Sequence, residues 1–153
     1  MVISGDPPVR LFLAFQQNFP DATLEWLVQA PGREMWAAAA VQPGDEITLA
    51  LADDELRATF SFRSAKLKQT VLQRPLPLWA RYPAGVIVAL REAGLESEGL
   101  RVVLAGDEPP GPRHDHAMGM TLAALWHDLC GQPYTAESLL EIVEQVRRTY
   151  VET

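Results

Sequence analysis

Apolar residues near the start of the chain are spaced for a helix. Leu11, Phe12, Phe15 and Phe19 fall on one face, and Pro20 ends the run. Asp6-Pro7 reads as the helix start, a capping carboxylate followed by a proline at the first helical position. Residues 24–30 read as a strand closed by Pro31-Gly32, and residues 35–41 form an apolar run whose period decides nothing. Its four alanines, Ala37, Ala38, Ala39 and Ala40, allow close backbone packing in a helix or a strand. The clearest pattern follows the Gln42-Pro43-Gly44-Asp45 turn. Ile47, Leu49 and Leu51 alternate with Thr48 and Ala50. Asp53-Asp54 makes a turn, and Leu56, Ala58, Phe60 and Phe62 alternate with Arg57, Thr59, Ser61 and Arg63. That period predicts a hairpin in a sheet with one wet face. The lysines of residues 66–72 suit an added edge strand.

Residues 73–78 carry two prolines and read as a connector. From Trp79 the spacing predicts a helix with Trp79, Tyr82, Val86, Leu90 and Ala93 inward, stopped by Gly94. Residues 101–105 read as a buried strand, 106–112 as a Gly/Pro-rich turn, and an apolar helix runs from a cap at Asp115 to Gly131. A last helix starts at Thr135 and places Leu139, Val143, Val146 and Tyr150 at helical spacing. This order predicts one α+β domain over residues 1–153, a two-layer body with a mixed or antiparallel sheet packed against helices.

Composition narrows the function classes. The 153 residues carry a formal charge of −7, and their Lys and Arg are scattered, which weighs against nucleic acid. No apolar run is long enough for a membrane span, and the first residues lack a signal-peptide pattern, so a cytoplasmic protein is expected. The single cysteine, Cys130, leaves no internal disulfide and reads as a buried spectator.

Four stretches together resemble the N-terminal half of galactokinases, in the GHMP kinase superfamily. Residues 10–20 resemble that family's opening helix. Val28-Gln29-Ala30-Pro31-Gly32-Arg33 is similar to its APGR entry to the sugar site. Trp79, Tyr82, Gly85-Val86-Ile87, Leu90 and Gly94 resemble a conserved helix, and Gly106-Asp107-Glu108-Pro109-Pro110-Gly111 resembles the lead-in to its phosphate loop. The resemblance implies the superfamily's N-terminal domain, with a left-handed β-α-β crossover, and matches Arg33 to the family's catalytic arginine. Read without the family, an arginine after a Pro-Gly turn is a surface residue.

The departures from the family fall where its chemistry lies. Where the family's loop wraps the ATP phosphates with glycine and serines, this chain has Arg113, His114, Asp115, His116, Ala117, Met118 and Gly119. Asp115 sets a carboxylate against a polyphosphate, and Arg113 blocks the close backbone approach that glycine permits. Arg113 and a protonated His116 offer side-chain charge to an anion instead. After Arg33 the family's sugar-gripping segment is replaced by Glu34-Met35-Trp36-Ala37. The family's catalytic aspartate and C-terminal domain follow the helix that ends here at Val151, so both are expected to be missing.

The first expectation is therefore a non-catalytic binding or protein-interaction module without a cofactor. The four tryptophans and the final helix would serve as an interface, in a homodimer or with another protein. The alternative is a kinase-like protein that binds a nucleotide or sugar phosphate, takes ATP and Mg²⁺, and is completed by a second chain. His114, Asp115 and His116 also invite a metal reading, but no fourth ligand is evident, and no metal site is expected. Asp115 as a helix cap with exposed histidines beside it is the plainer reading. No Gly-x-Ser-x-Gly elbow is present. Met118 and Met120 beside Trp126 read as core.

Overall fold

The computed structural model describes residues 5–153. Its elements run α1 (Val9–Asn18), β1 (Trp26–Gln29), β2 (Met35–Gln42), β3 (Glu46–Leu51), β4 (Leu56–Ser61), α2 (Phe62–Lys66), α3 (Arg81–Glu92), β5 (Gly99–Gly106), α4 (Pro112–Leu129) and α5 (Ala136–Val146). A π-helical turn, Arg147–Val151, extends α5. The five strands form one mixed sheet in the order β1-β2-β5-β3-β4. β5 is antiparallel to β2 and parallel to β3, so it alone joins the β1–β2 and β3–β4 hairpins.

Alternation along the strands sends residues to two cores. Met35, Ala37 and Ala39 of β2, Ile47 and Leu49 of β3, and Leu100, Val102 and Leu104 of β5 face a large cluster with α3, α4 and α5. Met118, Met120 and Trp126 are buried in it, as their spacing predicts. Trp36, Ala38 and Ala40 point the other way, where Leu11, Ala14 and Phe15 of α1 and Phe19, just past its end, meet Val103 and Ala105. The undecided run is thus a strand. Its alanines let helices close on both faces. The two-layer body of sheet and α3–α5 stands as expected, with α1 laid on the opposite face.

Several element boundaries differ from expectation, each for a local reason. α1 starts at Val9 with Pro8 as its N-cap, and Asp6 caps nothing. Pro8 pushes Pro7 out of helical backbone. The supposedly wet residues of β3 are buried: Ala50 lies in the α1 core, and the Thr48 hydroxyl meets that of Thr59 at 3.0 Å. The edge strand β4 keeps its alternation from Arg57 onward, with Ala58 and Phe60 buried and Arg57 exposed, but Leu56, expected inward, is exposed at the strand's start.

β4 stops at Ser61, whose side chain accepts from Ser64 N–H while the Ser64 hydroxyl accepts from Ser61 N–H. This capping box turns Arg63 and Lys66 into helix. The expected edge strand over residues 66–72 does not form: Lys66 ends α2 and residues 67–72 are loop, apart from one bridge between Gln69 and Pro75. Trp79 sits in a 3₁₀ turn, Leu78–Ala80, and α3 begins at Arg81, with Ala93 exposed beyond its end.

α4 starts at Pro112, earlier than expected. Gly111, at φ 107°, is its N-cap, and Asp115 lies within the helix, its N–H donating to Gly111 O at 3.1 Å. Proline is pre-shaped for the first helical position and needs no N–H partner there. The final helix begins as predicted, with Thr135 and Ser138 forming a second capping box. No helix among the described residues is long and apolar enough to cross a membrane.

Candidate functional site

The β1–β2 turn presents Arg33. Gly32 takes a left-handed φ of 70°, Arg33 N–H donates to Ala30 O, and Gln29 Nε2 donates to Arg33 O at 3.1 Å. The side chain is not a surface group: it is 17% exposed. Its three nitrogens are all engaged. Nε donates to Glu108 Oε1 at 3.2 Å, Nη2 to Arg113 O at 2.8 Å, and Nη1 to His116 Nδ1 at 3.1 Å.

Glu108 is the hub of this cluster. Its carboxylate, 4% exposed, also accepts from Glu34 N–H at 2.6 Å and lies 3.3 Å from Arg113 Nε. Burial pushes the Glu108 carboxyl up, but the Glu34 N–H and the Arg33 and Arg113 guanidinium groups together hold it below the usual carboxylate range.

His116 accepts from Arg33 through Nδ1, so its proton is on Nε2. That atom is buried without a hydrogen-bond partner among the described residues, 3.8 Å from Glu144 Oε1. The Tyr82 ring meets the imidazole edge-on, with centroids 5.8 Å apart. Glu144 in turn pairs with Arg147, which reaches Glu152. Burial, then the Arg33 charge, lower the His116 pKa below its ordinary 6.5, with Glu144 opposing.

The sign of the pH effect follows. The unfolded ring takes its proton near 6.5, the folded ring only at lower pH. Stability from the neutral ring is complete above about pH 6.5 and is lost as the pH falls through the folded value. The urea midpoint is therefore expected to drop between pH 7 and pH 5. His116→Gln should flatten that drop; an unchanged slope would show that another group is responsible.

His114 and Asp115 do not join this cluster. Arg113 and His116 are neighbours at helical i,i+3 spacing, whereas His114 and Asp115 turn toward a separate cavity of about 480 Å³. Their own contact is 3.9 Å. The four ligand candidates thus split: Arg113 and His116 join Arg33, the catalytic candidate, while His114 and Asp115 face the cavity. The metal reading required His114, Asp115 and His116 to converge. Among the described residues no group of three His, Cys, Asp or Glu is placed to hold a metal ion.

The cavity is bounded by the ends of β3 and β5 and the start of α4, and it is rich in carboxylates. Asp53, Asp54, Asp107, Glu108 and Asp115 line it with Trp79 and Met118. Arg10 is its only guanidinium among the described residues, and it is already paired with Asp53 and Asp107 while donating to Gly106 O at 2.9 Å. Burial raises the Asp115 pKa, with His114 opposing. A helix start that binds phosphate offers free N–H groups and positive charge. This one opens on a proline and faces acids.

Glu108, Arg10, Glu144 and the role of Tyr82 escape sequence reasoning. Glu108 lies 74 and 75 residues from its partners Glu34 and Arg33, and no local spacing signals such a pairing. Cys130 is half-buried, and burial raises its thiol pKa. Trp36 and Trp126 are buried and Trp26 and Trp79 partly so.

No family model and no curated protein matches the sequence. Solved structures do match the fold. Lactococcus lactis galactokinase complexed with galactose superposes with a TM-score of 0.73 at 14% identity, over 92% of this chain and 42% of that one. Methanococcus jannaschii mevalonate kinase gives 0.58 at 10% identity, over 74% and 36%. A D-glycero-D-manno-heptose 1-phosphate kinase from Bacteriodes thetaiotaomicron gives 0.55 at 14%, over 75% and 36%. The chain spans less than half the length of each. Its five strands and helices have the fold of the N-terminal portion of galactokinase, the GHMP kinase N-terminal domain.

Proposed function

We propose that this chain is a binding or protein-interaction module on a GHMP kinase fold, without kinase chemistry of its own. One observation carries the reading. Arg33, which the resemblance matches to the family's catalytic arginine, turns all three nitrogens inward, to Glu108, Arg113 O and His116. A guanidinium held that way is fixed in place and 17% exposed, with its charge turned to Glu108 and not to an incoming phosphoryl group. The carboxylates at the start of α4 act in the same direction, because bringing a polyphosphate beside them costs Coulomb energy.

One feature favours the kinase-like alternative. The Arg113 side chain is 69% exposed at the start of α4, and its ion pair to Glu108 leaves its Nη groups for an anion. Calorimetric titration with MgATP, with Mg²⁺ alone as control, separates the two. No saturable heat is expected at millimolar nucleotide. Saturable binding that weakens on Arg113→Ala would overturn the module reading and direct the search to sugar and sugar-phosphate acceptors.

A further inference from the structure

His116 stands between two elements that offer it opposite chemistry. On the sheet side, the β1–β2 turn aims Arg33 Nη1 at its Nδ1 from 3.1 Å. On the helix side, α5 holds Glu144 Oε1 3.8 Å from its Nε2. The ring is 16% exposed, and Nε2 is buried with no hydrogen-bond partner among the described residues. A guanidinium only donates, so it suits the neutral ring and opposes the protonated one, whose two nitrogens both carry hydrogen. A carboxylate only accepts, and it favours the protonated ring. The two neighbours thus select different protonation states.

We propose that His116 is a proton-operated switch that exchanges partners, held by Arg33 when the ring is neutral and by Glu144 when it is protonated. The step adds one solvent proton to the Nδ1 lone pair. The bond from Arg33 Nη1 is lost, and Nε2–H closes on the Glu144 carboxylate. Arg33 cannot retreat far, because its other nitrogens stay on Glu108 and Arg113 O. Glu144 can approach: its side chain is 37% exposed, and a hydrogen bond requires a movement of about 1 Å. Arg147 holds the other oxygen, Oε2, so the approach leaves that pair intact. The remaining groups around the ring do not offer it a second acid. Tyr82 of α3 meets it edge-on and is uncharged, Glu108 lies behind Arg33, and Asp115 is turned to the cavity. Arg113 stands one turn back on α4, and Arg147 opposes protonation as Arg33 does. The start of α4 is therefore fastened to the sheet near neutrality. In acid it is fastened to α5 and, through Glu144 and Arg147, to Glu152 beyond the C-terminal turn. The same step leaves Arg33 Nη1 without its internal acceptor. This goes beyond the interaction-module reading, and its test involves no nucleotide, so the two can fail separately.

Nuclear magnetic resonance on the full chain, titrated downward from neutral pH with the His116 ring assigned through the backbone, tests it. Near neutrality the ring is expected to carry its proton on Nε2, with Nδ1 bare. Its protonation midpoint should lie below 6.5, and the Arg33 Nε–H signal should shift with that same midpoint. Glu144→Gln removes the carboxylate that receives the protonated ring, and should move the midpoint down by about half a pH unit or more. Glu137→Gln, the same change of charge at an exposed position two turns earlier on α5, should leave it in place. A proton on Nδ1 near neutrality overturns the proposal without any variant. So does a midpoint at or above 6.5, an Arg33 signal that ignores the titration, or equal midpoints in the two glutamate variants.

Discussion

Replacing Glu108 with alanine is expected to destabilise the protein by about 3–5 kcal/mol, the usual cost of removing one partner from a buried ion pair. The expectation rests on what the carboxylate leaves behind. Arg33 would stay enclosed with its charge facing only His116 and a carbonyl, and the Glu34 N–H would lose its acceptor. For a domain of this size the loss corresponds to about 10 °C in Tm. Glu108→Gln, which keeps an acceptor but no charge, should cost about half as much. Pairing Glu108→Ala with Arg33→Met should recover part of the loss, because the stranded charge leaves with its partner. Thermal unfolding followed by circular dichroism measures all three. A loss under about 1 kcal/mol for Glu108→Ala would mean that the cluster is no more than a surface ion pair. Because the folded carboxyl titrates below its ordinary 4.5, its contribution is complete above that pH and fades as the pH falls through the folded value. That window opens below 4.5, whereas the one set by His116 opens below 6.5.

Gly106→Ala is expected to cost about 3 kcal/mol or more, or to prevent folding. A Cβ at this position would stand 2.0 Å from Glu34 O and 2.7 Å from Met35 Cα. Both are backbone atoms of the paired strand, so no side chain can swing aside. Glu34 O already accepts from Asp107 N–H at 2.8 Å, and Gly106 O accepts from Arg10, so any shift disturbs both ends of the site. Gly111→Ala is the contrast. It meets no atom within 4 Å and pays only for its φ of 107°, about 1–3 kcal/mol. Denaturant midpoints should rank Gly106→Ala as the worse. The reverse order would show that β2 and β5 are more loosely joined than their register implies.

Local patterns made much of the fold legible. The β3–β4 hairpin follows from alternation, and α5 from Thr135 and the leucine and valine spacing behind it. α2 was hidden because residues 56–63 alternate through its start, and only Ser61 and Ser64 mark the change. The candidate site turned on a shift in one helix start. Counted from a cap at Asp115, Arg113 and His114 are loop and free to converge on His116; counted from Pro112 all four are helix, and periodicity separates His114 and Asp115 from Arg113 and His116. Arg33, Arg113 and His116 were readable as residues of interest. That Glu108 gathers them was not, because helix and strand periods reach only a few positions and its partners lie across the sheet.

The placing of β5 also bears on how the chain is made. Synthesis proceeds from the N-terminus, and β5 is the last strand to emerge although it occupies the middle of the sheet. Until then the β1–β2 and β3–β4 hairpins share no ladder, and the edges of β2 and β3 that will receive β5 stand open. Such edges invite pairing with other chains. The nascent protein is therefore most exposed to wrong partners in the interval between its fourth strand and its fifth.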